Sequence, residues 1–207
     1  MTHNNAFVDA RKLLDWCKVP GDKLTGHPDL RIPYREVRDS EEMGQMMAEE
    51  LAEVIEKNNH KGLATRAIIP CGPKCWYSSF ADLVNARGLS LRKLEVFHMD
   101  ECLDWQGQLL PMNHPYNFRS FMEKHFYGPI QPELAVLPGQ RYWLSPSTME
   151  AVKGAILAAP IDITAGVGGK TAMSPITRPG AIPFIMSASM TWRIAPSAFK
   201  KITSTLF

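Results

Sequence analysis

Apolar residues recur in two rhythms along this chain. Met43, Met46, Met47, Leu51, Val54 and Ile55 fall at helical spacing, and the pattern ends near Gly62. That spacing predicts an amphipathic helix with one face turned to a core. Asp39-Ser-Glu-Glu42 stands just ahead of it and resembles a capping box. A shorter helical pattern covers residues 10–18, inside an irregular amino-terminal extension, residues 1–38, punctuated by Pro and Gly. After the Met-rich helix the rhythm changes. Arg66-Ala-Ile-Ile-Pro70 is a short apolar run suited to a buried strand, and residues 77–86 read as a helix. Lys93-Leu-Glu-Val-Phe-His-Met99 predicts a second strand. Residues 116–126 then predict a helix, 135–138 a third strand, 147–158 a helix and 160–164 a fourth strand.

Strands alternating with helices predict βαβ units. The expected fold class is α/β: a three-layer, mostly parallel, Rossmann-like sheet with helices on both faces, incomplete at the carboxy terminus. Ligands in such sheets bind beyond the carboxyl ends of the strands, and two segments lie there. Pro70-Cys-Gly-Pro-Lys-Cys75 joins a strand to a helix, where backbone N–H groups and the positive helix end suit an anion. Lys74 adds a full charge. A plain tight turn without ligand explains the loop equally well, and the glycine spacing and Lys-Ser/Thr ending of a Walker loop are missing.

Phe97-His-Met-Asp-Glu101 carries sharper chemistry. Asp100 and Glu101 are adjacent carboxylates at a strand end, and alternation lets one face the site while its neighbour points elsewhere. A partly desolvated carboxylate there can act as a base toward a carbon acid. A helix cap or a salt bridge is the bland alternative. His98 and His114 are candidates for lining the site; a structural histidine at a loop–helix junction is the simpler reading of His114. No metal is expected.

Composition narrows the partners. A chain of 207 residues fits one domain, and its net charge of +2 points to no polyanionic partner. The basic excess sits in residues 165–207, which hold Lys170, Arg178, Arg193, Lys200 and Lys201 and no acid. Subtracting those five from +2 leaves −3 for residues 1–164. No nucleic acid is therefore expected as partner, since the basic excess lacks interleaved aromatics at useful spacing. No signal pattern and no run long enough for a bilayer is present, so no membrane partner and a cytoplasmic location are expected. Cys17, Cys71, Cys75 and Cys102 read as reduced thiols rather than a zinc site.

The order of elements then becomes recognisable. The loop at Gly72, Met99-Asp100-Glu101, and His114-Pro115 with Ser120-Phe121-Met122 together resemble the glucosamine-6-phosphate deaminase/isomerase family, which is related to the 6-phosphogluconolactonases. The resemblance runs over residues 32–164 and is nearest a branch with a Cys-Gly-Pro loop. It implies aldose–ketose isomerisation of an amino-sugar phosphate with loss of ammonia, glucosamine 6-phosphate to fructose 6-phosphate being the type reaction. Asp100 would move a proton between C1 and C2 of the opened sugar, with Glu101 beside it in the catalytic pair. Cys71, Gly72, Lys74 and Cys75 would hold the phosphate. The implied partner is a small-molecule sugar phosphate, with no cofactor and with a homo-oligomer as one option. The loop departs from the family at Pro73, Lys74 and Cys75, where small and hydroxyl residues are usual, which puts the substrate in question. A lactone-hydrolysing enzyme of the 6-phosphogluconolactonase type, and a non-catalytic sugar-phosphate-binding protein or gene remnant, are the alternatives.

After its fourth strand the family carries Gly-Gly-x-Gly-x-Asp/Asn-Gly-His, whose His serves ring opening. Here the text is Ala165-Gly-Val-Gly-Gly-Lys-Thr-Ala-Met-Ser-Pro-Ile-Thr177, with glycines but no Asp, His or Asn. Codons for residues 165–178, regrouped one base earlier, can spell Gly-Gly-Trp-Gly-Gln-Asp-Gly-His-Val-Ala-Tyr-Asn. Loss of one base just after the Thr164 codon would yield the observed text and its missing acids. The expected organisation is an α/β domain over 1–164 and an out-of-frame tail over 165–207 with no packed structure, so the literal chain is expected to be inactive or weak.

Overall fold

Four parallel strands carry the architecture of this computed structural model, which describes residues 9–20, 23, 26–29, 37–72 and 74–165. Expectations about residues 166–207 and about Pro73 lie outside the described residues. Helix α1 (Ala10–Cys17) begins at Asp9, whose side chain accepts the Arg11 amide. Helix α2 (Ser40–His60) is the Met-rich helix. Asp39 caps it by accepting the Glu41 and Glu42 amides at 3.0 and 2.8 Å, and Glu42 reaches back to the Arg38 amide at 2.8 Å. These bonds satisfy donors that the first turn cannot pair internally.

Strand β1 (Thr65–Ile69), helix α3 (Tyr77–Arg87) and strand β2 (Leu94–His98) follow, with Ile69 opposite His98 in the parallel ladder. Helix α4 (Phe118–Met122) starts at Asn117, whose side chain accepts the Ser120 amide at 2.7 Å. It widens into a π turn, Glu123–Tyr127, closed by the Gly128 amide on the Glu123 carbonyl at 2.9 Å. A Cβ at position 128 would lie 2.9 Å from the Lys124 carbonyl, which explains the glycine. The wider turn brings the consecutive aromatics Phe126 and Tyr127 both into the interior.

Residues 135–138 do not form the third strand. The Val136 carbonyl is taken by the Arg141 guanidinium at 2.8 Å, and Pro138 opens a 3-10 turn, Pro138–Gln140. Strand β3 is Arg141–Tyr142, beyond that turn. Helix α5 (Met149–Ala158) and strand β4 (Ile163–Thr164) complete the described chain, and the sheet order is β3-β2-β1-β4.

Alternation along the strands divides the interior in two. Ala67, Ile69, Leu94 and Val96 pack with α2, α3 and α4. Ile68 and Phe97 face the other way, against Val152, Ala155 and Ile156 of α5. The result is the three-layer α/β arrangement expected from the sequence. On the first face Trp76, Tyr77, Phe80 and Phe126 form an aromatic cluster, with the Phe80 and Phe126 rings stacked at 5.5 Å. On the second face Arg66, only 8% exposed, lies over the Phe97 ring and bonds Glu95 at 2.9 Å. Its guanidinium also takes the carbonyls of Ala155, Ala159 and Pro160 at the end of α5, where the helix dipole favours a cation.

Candidate functional site

The direction of chain travel reverses at β1: β2 and β3 lie on one side of it, β4 on the other. In open α/β sheets the crevice at such a reversal, beyond the carboxyl ends of the strands, is where ligands bind. The segment after β1 is the Cys71–Gly72 turn, and the residue after β4 is Ala165, whose amide bonds the Ile68 carbonyl at 2.9 Å.

Asp100 lies beside that turn. The ladder of β1 and β2 ends with the Met99 amide on the Ile69 carbonyl at 2.9 Å, and the next amide, Cys71, donates to Asp100 Oδ1 at 3.0 Å. Asp100 thus bonds across the strand ends through its side chain. It is half-buried, and desolvation raises its carboxyl above the usual range, while the Cys71 N–H pulls it partly back. Such a carboxylate is a stronger base than one in bulk water.

Glu101 points elsewhere. Its carboxylate accepts the Phe118 amide at 2.7 Å, the Arg119 amide at 3.1 Å and the Cys102 amide at 3.0 Å. It therefore caps α4 and ties the ends of the 102–117 excursion together. That loop is ordered within itself: Asp104 accepts the Gln106 and Gln108 amides at 2.9 and 2.8 Å, and Asn117 donates to the Leu110 carbonyl at 2.7 Å. His114 belongs to this loop, with Nδ1 accepting the Tyr116 amide at 3.1 Å.

The phosphate candidates are brought together in sequence order around one turn. Gly72, at φ +117°, is exposed and donates its amide to the Tyr77 hydroxyl at 2.8 Å; the hydroxyl donates in turn to the Pro70 carbonyl at 3.1 Å. The amides of Cys71 and Gly72 are thus both engaged by the protein. Lys74 is exposed, with Nζ 5.1 Å from the centre of the Phe121 ring. Helix α3 has no side-chain cap at its amino terminus; the 3-10 turn Lys74–Trp76 runs directly into it. Burial pushes the Cys71 and Cys75 thiols up, so both are neutral and poorly nucleophilic. All four cysteines are free.

His98 is in the core, 2% exposed. It stacks on Trp143 with ring centres 3.6 Å apart. Nδ1 lies 2.9 Å from the Tyr142 carbonyl and Nε2 3.0 Å from the Tyr127 hydroxyl. A carbonyl can only accept, so Nδ1 carries the proton and Nε2 accepts from Tyr127. Burial drives its pKa down to about 3, so the ring is neutral under ordinary conditions. This arrangement braces the end of β2 immediately before Asp100.

Sequence reasoning missed two residues that shape the turn. Tyr77 was legible only as the start of a helix. Gly44 lies inside the Met-rich stripe, yet a Cβ there would stand 1.9 Å from the Cys75 carbonyl oxygen. Only glycine lets α2 lie this close to the candidate loop.

Two surface hollows, about 620 Å³ between α2 and α3 and about 370 Å³ beside Tyr127 and Val136, are lined by neither Asp100 nor Gly72. No cluster of three His, Cys, Asp or Glu that could hold a metal occurs among the described residues. No helix among them is long and apolar enough to cross a membrane.

No protein-family model matches this chain, and no curated protein matches it. Solved structures do. A monomeric glucosamine-6-phosphate deaminase, described as a missing link of the NagB superfamily, aligns with a TM-score of 0.53 at 18% identity, over 65% of this chain and 54% of that one. A protein assigned as a 6-phosphogluconolactonase from Neisseria gonorrhoeae aligns at 0.44 and 16% identity, over 65% and 57% of the two chains. The 6-phosphogluconolactonase of Trypanosoma cruzi aligns at 0.43 and 16%, over 70% and 56%. This chain spans little more than half the length of each. Its fold is that of the monomeric deaminase, over roughly that half of the enzyme.

Proposed function

We propose that this chain is a sugar-phosphate protein of the amino-sugar-phosphate isomerase/deaminase type, with Asp100 as the base that moves a proton between C1 and C2 of the opened sugar. What supports the reading is one juxtaposition: a half-buried carboxylate at the end of β2, bonded at 3.0 Å to the amide of the turn that flanks the ligand crevice. A phosphate bound to Lys74 and the start of α3 would anchor the sugar beside Asp100. Glu101 sets the loop and α4 against the base. Turnover by the literal chain is low, because residues 165–177 hold no ring-opening His.

Hydrogen exchange isolates the base from the later steps. In heavy water the chain should wash deuterium into C1 of fructose 6-phosphate, followed by NMR, and Asp100→Asn should abolish this. Exchange that persists in Asp100→Asn, or none in the parent, would sink the assignment. Release of acid from 6-phosphogluconolactone without exchange would point to the hydrolase instead. Restoring one base after the Thr164 codon should raise ammonia release from glucosamine 6-phosphate far above that of the literal chain.

A further inference from the structure

Among the described residues, one side chain other than Asp100 bonds the Cys71–Gly72 turn, that of Tyr77. Gly72 adopts φ +117°, a conformation that costs other residues free energy, and it is exposed, so no packing around it imposes that angle. The Tyr77 hydroxyl alone spans the turn, accepting from Gly72 at 2.8 Å and donating to Pro70 at 3.1 Å. Between those two residues sits Cys71, whose amide meets Asp100 Oδ1 at 3.0 Å. The Pro70 carbonyl and the Cys71 N–H belong to one peptide, so rotation of that peptide would swing the amide away, and the bond from Gly72 fixes the peptide that follows. The Tyr77 ring cannot follow, being 1% exposed and packed against Trp76, Phe121 and Phe126.

We propose that Tyr77 is a positioning residue for Asp100: its hydroxyl latches the Pro70–Gly72 turn and thereby aims the Cys71 N–H at the carboxylate. The inference rests on Asp100 being the base of the proposed function, but its first consequence can be read without any turnover. An N–H bonded to a carboxylate favours the ionised form. Losing it weakens the opposition to desolvation, leaving only the Cys71 side chain to favour the ionised form, so the Asp100 carboxyl moves further up and the acid limb of its activity moves to higher pH. Facing Asp100 are the Cys71 thiol from the turn, the Tyr77 phenol from α3, and Glu101 and Cys102 on its own segment. Burial raises the Cys71, Tyr77 and Cys102 groups, which stay neutral while Asp100 titrates. Glu101 is held by three amides.

The test is a carboxyl carbon-13 NMR titration of the full chain, with the Asp100 signal assigned by its loss in Asp100→Asn. Tyr77→Phe keeps the ring packing and removes only the hydroxyl; the Asp100 midpoint should move up. The kcat for C1 exchange should fall about ten-fold with KM nearly unchanged, as expected for lost orientation rather than lost binding. Gly72→Ala attacks the same turn without touching the core, since its Cβ would meet nothing within 4 Å, and should move the midpoint the same way. It carries the test if Tyr77→Phe fails to fold. An Asp100 titration unchanged in the folded variant overturns the latch. A shifted titration in a parent that exchanges no hydrogen supports the latch and removes the assignment of Asp100 as base.

Discussion

Replacing Gly44 by Ala should damage the site more than the fold. The added methyl would stand 1.9 Å from the Cys75 carbonyl oxygen and 2.4 Å from its carbon, where about 3.0 Å is the closest approach side chains make. Backbone, not a flexible side-chain tip, is in the way, so α2 or the 74–76 turn must retreat by roughly 1 Å. The helix gains ~1 kcal/mol from losing an interior glycine, and overpacking costs ~1–3 kcal/mol. Net stability should therefore change by no more than about 2 kcal/mol. The turn that moves carries Lys74 and the start of α3, and a displacement of 1 Å at a reacting geometry costs on the order of 100-fold in rate. Urea unfolding and C1 hydrogen exchange on the same preparation should show that split, with amide NMR shifts concentrated at residues 71–76. Exchange within a few-fold of the parent, with those amides unmoved, would refute the reasoning.

Two further outcomes follow from buried groups. Arg66→Met should cost roughly 3–4 kcal/mol, because it strands the end of α5 and leaves Glu95 without its partner. At roughly 2–4 °C per kcal/mol this is a drop in Tm of about 6–16 °C, and a loss under 1 kcal/mol would show that water replaces the guanidinium freely. His98 has its pKa lowered from 6.5 to about 3 by burial. The unfolded chain therefore binds its proton first as pH falls, and the stability this group contributes is present above 6.5 and lost progressively down to about 3. The loss is up to about 1.4 kcal/mol per pH unit. His98→Gln should flatten that part of the parent's pH–stability curve, and an unchanged slope would mean His98 does not carry it.

The layers of this fold were legible because burial enforces periodicity. The Met43–Ile55 stripe and the apolar runs at Ile68 and Val96 each had one arrangement that hid them from water. β3 was misplaced because a strand of two residues has no period to read, and Ala135-Val-Leu imitates one until Pro138 and Arg141 claim its backbone. The candidate site was legible at Asp100, where a pair of carboxylates ends an apolar strand. The division of labour within the pair was not, since it depends on amides seventeen and eighteen residues away at Phe118 and Arg119. His98 shared the strand's inward face with Val96, and that alternation alone hinted at a core position. Tyr77 and Gly44 left no signal: a helix-initial tyrosine and a glycine in a helix are common, and their importance lies in contacts the chain makes only once folded.

The clasp of Glu101 on the amides of Phe118 and Arg119 makes the 102–117 segment a bow whose knot is independent of its length. Residues could be added or deleted at its tip, near the highly exposed Trp105, without changing where Asp100 emerges from the sheet or how α4 begins. A scaffold built this way can vary the loop while keeping the Asp100 carboxylate stationary.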